Sequence, residues 1–224
     1  DQRTFQPCVK GGVRFEINGQ TVLPAAPAYA PRLVEDRTED GRRTLLWELD
    51  LDGTRVRYSF ALETKGKSCV IDVAVEEGAG IQLDIGLLAG LPGAKTVKIP
   101  YLTYSWDAWP RVVCGEGASG PIFLLALIDP YRSDASELFG PAYLTAPDAL
   151  GYTGGARYRP RTDGLRNPMR ERIFINVSAD VQEVLPNIPN PDCATTELAR
   201  ECLCNNMGDT GYPFPYELLR QYKA

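Results

Sequence analysis

Aromatic rings crowd around one carboxylate at 99–111, IPYLTYSWDAWPR, where Tyr101, Tyr104, Trp106 and Trp109 flank Asp107. Flat rings beside an acid suit sugar recognition, because C–H faces stack on indole while the carboxylate accepts hydroxyl hydrogen bonds. The same residue types also fill sandwich cores and cap sheet edges. Both readings stand at this point, carbohydrate contact and packing.

A second chemical stretch is RYRPRTDGLRNPMRER at 157–172, which holds Arg157, Arg159, Arg161, Arg166, Arg170 and Arg172. Guanidinium groups pair bidentately with carboxylates, so Arg157, Arg159, Arg161 and Arg166 are candidates for an anionic ligand or an acidic partner. The alternative is a solvated loop tied down by nearby acids such as Asp163 and Glu171. Glycoside hydrolysis would need two carboxyls about 5 to 10 Å apart across the scissile bond. Asp107, Asp129, Asp134, Glu137 and Asp180 are available, but sequence spacing selects no pair.

The chain has no histidine, so no imidazole base or histidine metal ligand is available within it. With 24 basic and 29 acidic residues the net charge is −5, which argues against a nucleic-acid binder. No phosphate-binding glycine loop follows a strand, and no cofactor or metal site is expected. No apolar run reaches the 18 or more residues of a helical membrane span. Six cysteines, three of them (Cys193, Cys202 and Cys204) near the end, suggest a disulfide and hence an extracellular or periplasmic setting. Asn176-Val177-Ser178 is a glycosylation triplet lying in the middle of an expected strand.

The elements that must position these residues are strands. Asn18-Gly19 and Asp52-Gly53 each separate two β-prone runs, a strong hairpin signal. Leu45, Trp47, Leu49 and Leu51 alternate with polar residues, as do Val56, Tyr58, Phe60 and Leu62. With 68–77 and 81–88 these runs predict an antiparallel meander, one face wet and one buried. Further strands are expected at 95–102, with Pro100 marking an edge, and at 122–128, 172–178 and 181–185. The Gly/Pro-rich stretch 131–170 predicts long ordered loops with one helical turn near 133–139.

Three prolines in 186–191 break the pattern. The expected organisation is a sandwich domain over 1–186 and a linker over 187–213 with a short helix and the cysteine cluster. A helix then starts at 214–224, YELLRQYKA with its preceding residues, and packs on a following domain or back on the sandwich. The fold class is all-β, an antiparallel β-sandwich of roughly ten to twelve strands with a short C-terminal helical extension.

The stretches RVRYSFALETKGKSCVIDVAVEE, KIPYLTYSW, GPIFLLALIDPYRSDASELFG and RERIFINVSADVQEVLPNIPNP resemble the N-terminal domain that precedes the (β/α)₈ barrel in large secreted glycoside hydrolases and related hydrolases. That domain is similar to the galactose-mutarotase-like supersandwich, and the tail PYELLRQYKA resembles the helix leading into the first barrel strand. The chain departs from the family in being smaller and in lacking the histidines of its epimerases. The resemblance therefore implies a non-catalytic accessory domain of a carbohydrate-active enzyme, shaping or supporting a glycan cleft beside a catalytic domain. A different expectation is an extracellular assembly subunit that packs or polymerises with neighbouring subunits through its tail. A third is a carboxylate-only glycosidase complete in this chain.

Overall fold

A computed structural model describes residues 4–6, 12–85, 87–89, 94–99, 111–117, 119–146 and 149–185. The chain divides into two units, Asp1–Ile188 and Pro189–Ala224, and every described residue belongs to the first. The expected linker, the closing helix, the aromatic stretch 101–109 and Cys193, Cys202 and Cys204 lie outside the described residues.

The fold is an all-β sandwich of two antiparallel sheets. The first part of the chain supplies β1 (Thr4–Gln6), β2 (Val13–Ile17), β3 (Gln20–Val22), β4 (Arg32–Glu39), β5 (Arg42–Leu51), β6 (Thr54–Lys65) and β7 (Ser68–Val75). The remainder supplies β8 (Gly80–Asp84), β9 (Leu87–Ala89), β10 (Lys95–Lys98), β11 (Arg111–Gly117), β12 (Gly120–Ile128), β13 (Glu137–Ala146), β14 (Ala149–Arg157) and β15 (Met169–Ser178). A single helical turn, α1 (Val181–Val184), follows. One sheet has eight strands in the order β10-β11-β12-β15-β7-β6-β5-β4. The other has seven, where β14 pairs with β13 on one side and with both β8 and β9 on the other. Beyond those, β2 pairs with β8 and β3, and β1 pairs with β9.

Hairpin chemistry sets much of this register. Asn18-Gly19, Asp40-Gly41 and Asp52-Gly53 all have positive φ at both residues, the two-residue turn whose twist matches paired strands. The expected hairpins at 13–23 and 44–63 form as read, and β5, β6 and β7 make the expected meander. Val56, Tyr58, Ile71, Val73, Leu124 and Ile173 from the large sheet meet Val13, Phe15, Leu83 and Ala156 from the other in one core. Across it the Phe15 and Tyr58 rings pack edge to face, with centroids 5.1 Å apart.

Four expectations are corrected. Residues 81–88 do not extend the meander, because a 3-10 turn at Glu76–Gly78 carries β8 into the opposite sheet, between β2 and β14. The stretch 131–170 is not chiefly loop, and 133–139 is not a helical turn: β13 and β14 form a long hairpin there. Pro141 falls where the β13 register shifts between Phe139 and Ala142, on a strand with a single partner, where a missing N–H is tolerated. Residues 181–185 leave the sheet as α1, because the Asp180 carboxylate accepts from the Gln182 amide at 2.8 Å and caps the turn. The strand β4 was not expected at all, since all eight of its residues are exposed and show no apolar alternation.

Glycine at 155 is required by close approach. A Cβ there would stand 1.9 Å from the Leu83 carbonyl oxygen and 2.9 Å from the Phe139 ring, so β14 could not pair with β8. We expect Gly155→Ala to destabilise the domain by about 2 kcal/mol or more, the upper part of the range for overpacking. Denaturant unfolding measures this directly; an unchanged midpoint would contradict the described pairing.

Candidate functional site

The arginine-rich segment is bound up with acids contributed by three different parts of the chain. Arg157 and Arg159 both donate to Glu137 Oε2, at 3.1 and 2.9 Å, and Arg157 also lies 4.6 Å over the Phe139 ring. Arg159 first, and then Arg157, hold the Glu137 carboxyl below its ordinary range despite the opposing cost of desolvation. Arg161 grips Asp163 at 2.8 Å and Asn167 at 3.2 Å, closing a small loop in which the Leu165 amide also donates to Asp163. Arg166 reaches 150 residues back to Glu16, at 3.0 Å. Arg172 donates to both oxygens of Asp72, at 2.6 and 2.8 Å. These contacts give Arg157, Arg159, Arg161 and Arg166 roles in fixing the β13–β14 hairpin and the loop leading to β15.

Glu171, read from sequence as a local acid for these arginines, instead faces inward. Along β15 the buried residues Met169, Glu171, Ile173 and Ile175 share the core side. Glu171 is 3 % exposed; its Oε1 accepts from the Tyr158 hydroxyl at 2.5 Å and from the Ser133 hydroxyl at 2.8 Å, while Oε2 is buried without a partner. Burial pushes its carboxyl above the ordinary range, outweighing both hydroxyl donors, and the negative charges of Asp134 and Asp129 push the same way. Burial and the facing carboxyl also push the Tyr158 hydroxyl up. Tyr158 follows β14 in one sheet and Glu171 lies on β15 in the other, so this cluster pins the two sheets and the 129–136 turn together.

The other candidate acids have structural partners. The buried Asp129 accepts from the Tyr131 amide at 3.1 Å, Asp180 caps α1, and Glu137 holds the two arginines. Asp107 lies outside the described residues. Among the described residues, no group of three or more acids or cysteines is placed to hold a metal ion. Cys69 and Cys114 are free thiols; burial raises the former, and the latter donates to the Lys95 carbonyl at 3.4 Å. Asn176, the acceptor of the glycosylation triplet, is buried and donates from Nδ2 to the Val184 carbonyl at 3.3 Å, so the folded chain does not offer it for modification.

The sequence reading passed over the outer face of the eight-stranded sheet. There Glu48 accepts from Arg32 at 2.8 Å and from Arg57 at 3.0 Å, with Arg55 3.7 Å away. Arg32 and Arg57 together hold the Glu48 carboxyl below its ordinary range. Asp72 takes Arg42 at 2.6 Å as well as Arg172. Burial raises Asp72, but the guanidinium hydrogen bonds prevail and hold it below the ordinary range. Hairpin arithmetic contained the signal: a turn at 52–53 sets Glu48 opposite Arg57 and Asp50 opposite Arg55.

No protein-family model matches the chain, and no curated protein matches it. Among solved structures it resembles the Slr1438 protein from Synechocystis sp. PCC 6803, with 12% identity, a TM-score of 0.43, and coverage of 75% of this chain and 73% of that one.

The Glu171 cluster has a pH signature. Its raised folded pKa means that the unfolded chain loses this proton first, so the group's stabilising contribution is whole below the ordinary value of 4.5 and declines as pH rises through the folded pKa. Glu171→Gln keeps an acceptor for Tyr158 and Ser133 and carries no proton to lose. We expect the stability of that variant relative to the unaltered chain to rise between pH 4 and pH 8 in denaturant titrations. A constant difference across that window would contradict the assignment.

Proposed function

We propose that the chain is a non-catalytic accessory β-sandwich of a carbohydrate-active enzyme, extracellular or periplasmic, that supports or shapes a glycan-binding cleft. The observation that carries this reading is the division of one sheet face into two unlike halves. On the side of the large sheet away from the main core, Ile99, Val112, Leu125 and Leu127 form a second buried apolar cluster with Val184 of α1 and part of Phe123. A bare two-sheet sandwich needs no such layer, and α1 supplies part of it here, so this half of the sheet carries a third layer of its own. The other half of the same face, across β4 to β7, carries the ion pairs of Glu48 and Asp72 around half-buried Leu46 and buried Ala61 and Val70.

The described acids support the non-catalytic part of this reading. Glu137, Asp180 and Glu171 are committed to ion pairs, a helix cap and a buried cluster. Polymerisation by strand pairing is disfavoured at the β4 edge, where Glu35, Asp36, Arg37 and Glu39 are exposed charges of the kind that block edge-to-edge association. The sugar-stacking role remains with Tyr101, Tyr104, Trp106, Asp107 and Trp109, and the catalytic partner is a domain beside this one.

Affinity electrophoresis through gels containing polysaccharides, run beside a panel of chromogenic glycosides, tests the proposal. Retardation by at least one polysaccharide without chromophore release is the expected result. Release that a single carboxylate substitution abolishes would make the chain an enzyme and overturn the reading, as would the absence of retardation by every polysaccharide. Trp106→Ala with Trp109→Ala should weaken retardation by about tenfold or more, the scale of losing stacked aromatic contacts.

A further inference from the structure

The ion-paired half of the outer face is layered around Glu48. There the acid lies low and its arginines stand high: Glu48 is 7 % exposed, against 70 % for Arg32, 59 % for Arg55 and 45 % for Arg57. At Asp72 the order reverses, with Arg172 16 % exposed beneath an acid at 24 %. Glu48 fixes the guanidiniums around it and leaves donors unused, while Arg172 and Arg42 are each engaged through two nitrogens at Asp72 and Glu63. Arg57 donates to Glu48 only through Nε, Arg32 through one terminal nitrogen, and Arg55 stands 3.7 Å off without a hydrogen bond. A guanidinium carries five N–H donors, so most of this donor capacity faces no protein acceptor.

The charge count agrees with the layering. Arg32, Arg55 and Arg57 surround Glu48 and Asp50, three cations over two acids. Around Asp72 and Glu63 stand Arg42, Arg172 and Lys65, and Asp129 also acts on Arg172, so here three cations meet three acids. The Glu48 cluster is therefore locally cationic in a chain whose net charge is −5, and the Asp72 cluster is balanced. They lie on one face, because Arg42 and Glu48 are an even number of residues apart on β5, and six residues of strand place them about 20 Å apart. Thr44, Ser59 and Ala61 occupy the ground between, together with half-buried Leu46 opposite Ser59.

We propose that this face binds an anionic polysaccharide, with an acidic group of the polymer held at the arginines around Glu48. This rests on the accessory glycan-binding reading and names its ligand class. Preformed, acid-anchored arginines lose less side-chain freedom on binding than free ones, which favours a bidentate anion. A single small cationic cluster suits a polymer with sparse, separated charges. A duplex carries a charge every 1.7 Å or so, and such a density is repelled by the acidic remainder of the chain.

The test is affinity electrophoresis of the full chain in gels containing polygalacturonate, dextran sulfate or a neutral β-glucan, with single-stranded oligonucleotide as competitor. Retardation by polygalacturonate or dextran sulfate should exceed that by the neutral glucan and fall as salt is raised. Which of the two retards more tells carboxylate from sulfate. Arg55→Gln, at a residue without a hydrogen bond, leaves the fold intact. Together with Arg57→Gln it should weaken acidic-polymer retardation about tenfold, the effect of losing one charge-assisted hydrogen bond, while leaving any neutral-glucan retardation as it was. Because Arg57 also donates to buried Glu48, the pair is run below its own melting temperature, and Arg55→Gln alone is the variant whose melting temperature stays unchanged. Equal retardation by acidic and neutral polymers, or an unaltered response in these variants, overturns the acidic-ligand proposal and leaves the accessory reading standing. Displacement by oligonucleotide at lower concentration than by polygalacturonate also overturns it. Failure of every polysaccharide to retard the chain overturns both.

Discussion

The pleat of β15 is the constraint on which the rest of the molecule depends. This strand runs through the interior of the eight-stranded sheet between β12 and β7, and neighbouring residues on it must point to opposite faces. Glu171 therefore enters the core and meets Tyr158 from the other sheet, while Arg172 leaves it and meets Asp72 on the outside. A one-residue slip would bury Arg172 among Phe15 and its neighbours and expose Ile173 and Ile175. The same strand thus fixes the sheet-to-sheet contact and the charged outer face, and neither can shift without the other.

Glu171 and Asp72 show how partners decide the state of a carboxyl. Both lose hydration on folding, and that loss is the largest influence on each. Hydroxyl donors are neutral and compensate the charge only partly, so Glu171 moves toward its protonated form. Two guanidiniums bring full charge together with their hydrogen bonds, and Asp72 stays ionised. The two carboxyls are thus shifted in opposite directions across the thickness of one sheet. Burial alone would have given the same answer for both residues.

The sequence shows its hairpins plainly because their chemistry is local: an Asn-Gly or Asp-Gly pair with positive φ declares the turn, and alternation declares the buried face. It hides β4, where exposure removes alternation, and the β13–β14 hairpin, where glycines serve close approach to β8 and read as loop. It hides the crossing of β8 into the opposite sheet, because pairing partners distant in sequence leave no local mark. Of the candidate residues, the arginines of 157–166 were visible as a cluster, but their long-range partners Glu137 and Glu16 were not. The Glu48 arginines were legible by counting outward from Asp52-Gly53, since register across a two-residue turn follows from the turn itself.

The exposed strand β4 gives the fold a soft margin. Among the described residues it pairs with β5 and supplies none of the buried core, so it can peel away with little apolar interior exposed. Its amides should therefore lose protection in small openings well below the free energy of global unfolding. Arg32 sits on this strand and Glu48 on the next, so each opening also withdraws one guanidinium from the carboxylate it shares with Arg57. The outer face is in this sense hinged at one corner: its composition at any instant depends on whether the margin of the sheet is zipped, and a molecule bound across β4 and β5 would act as the clasp.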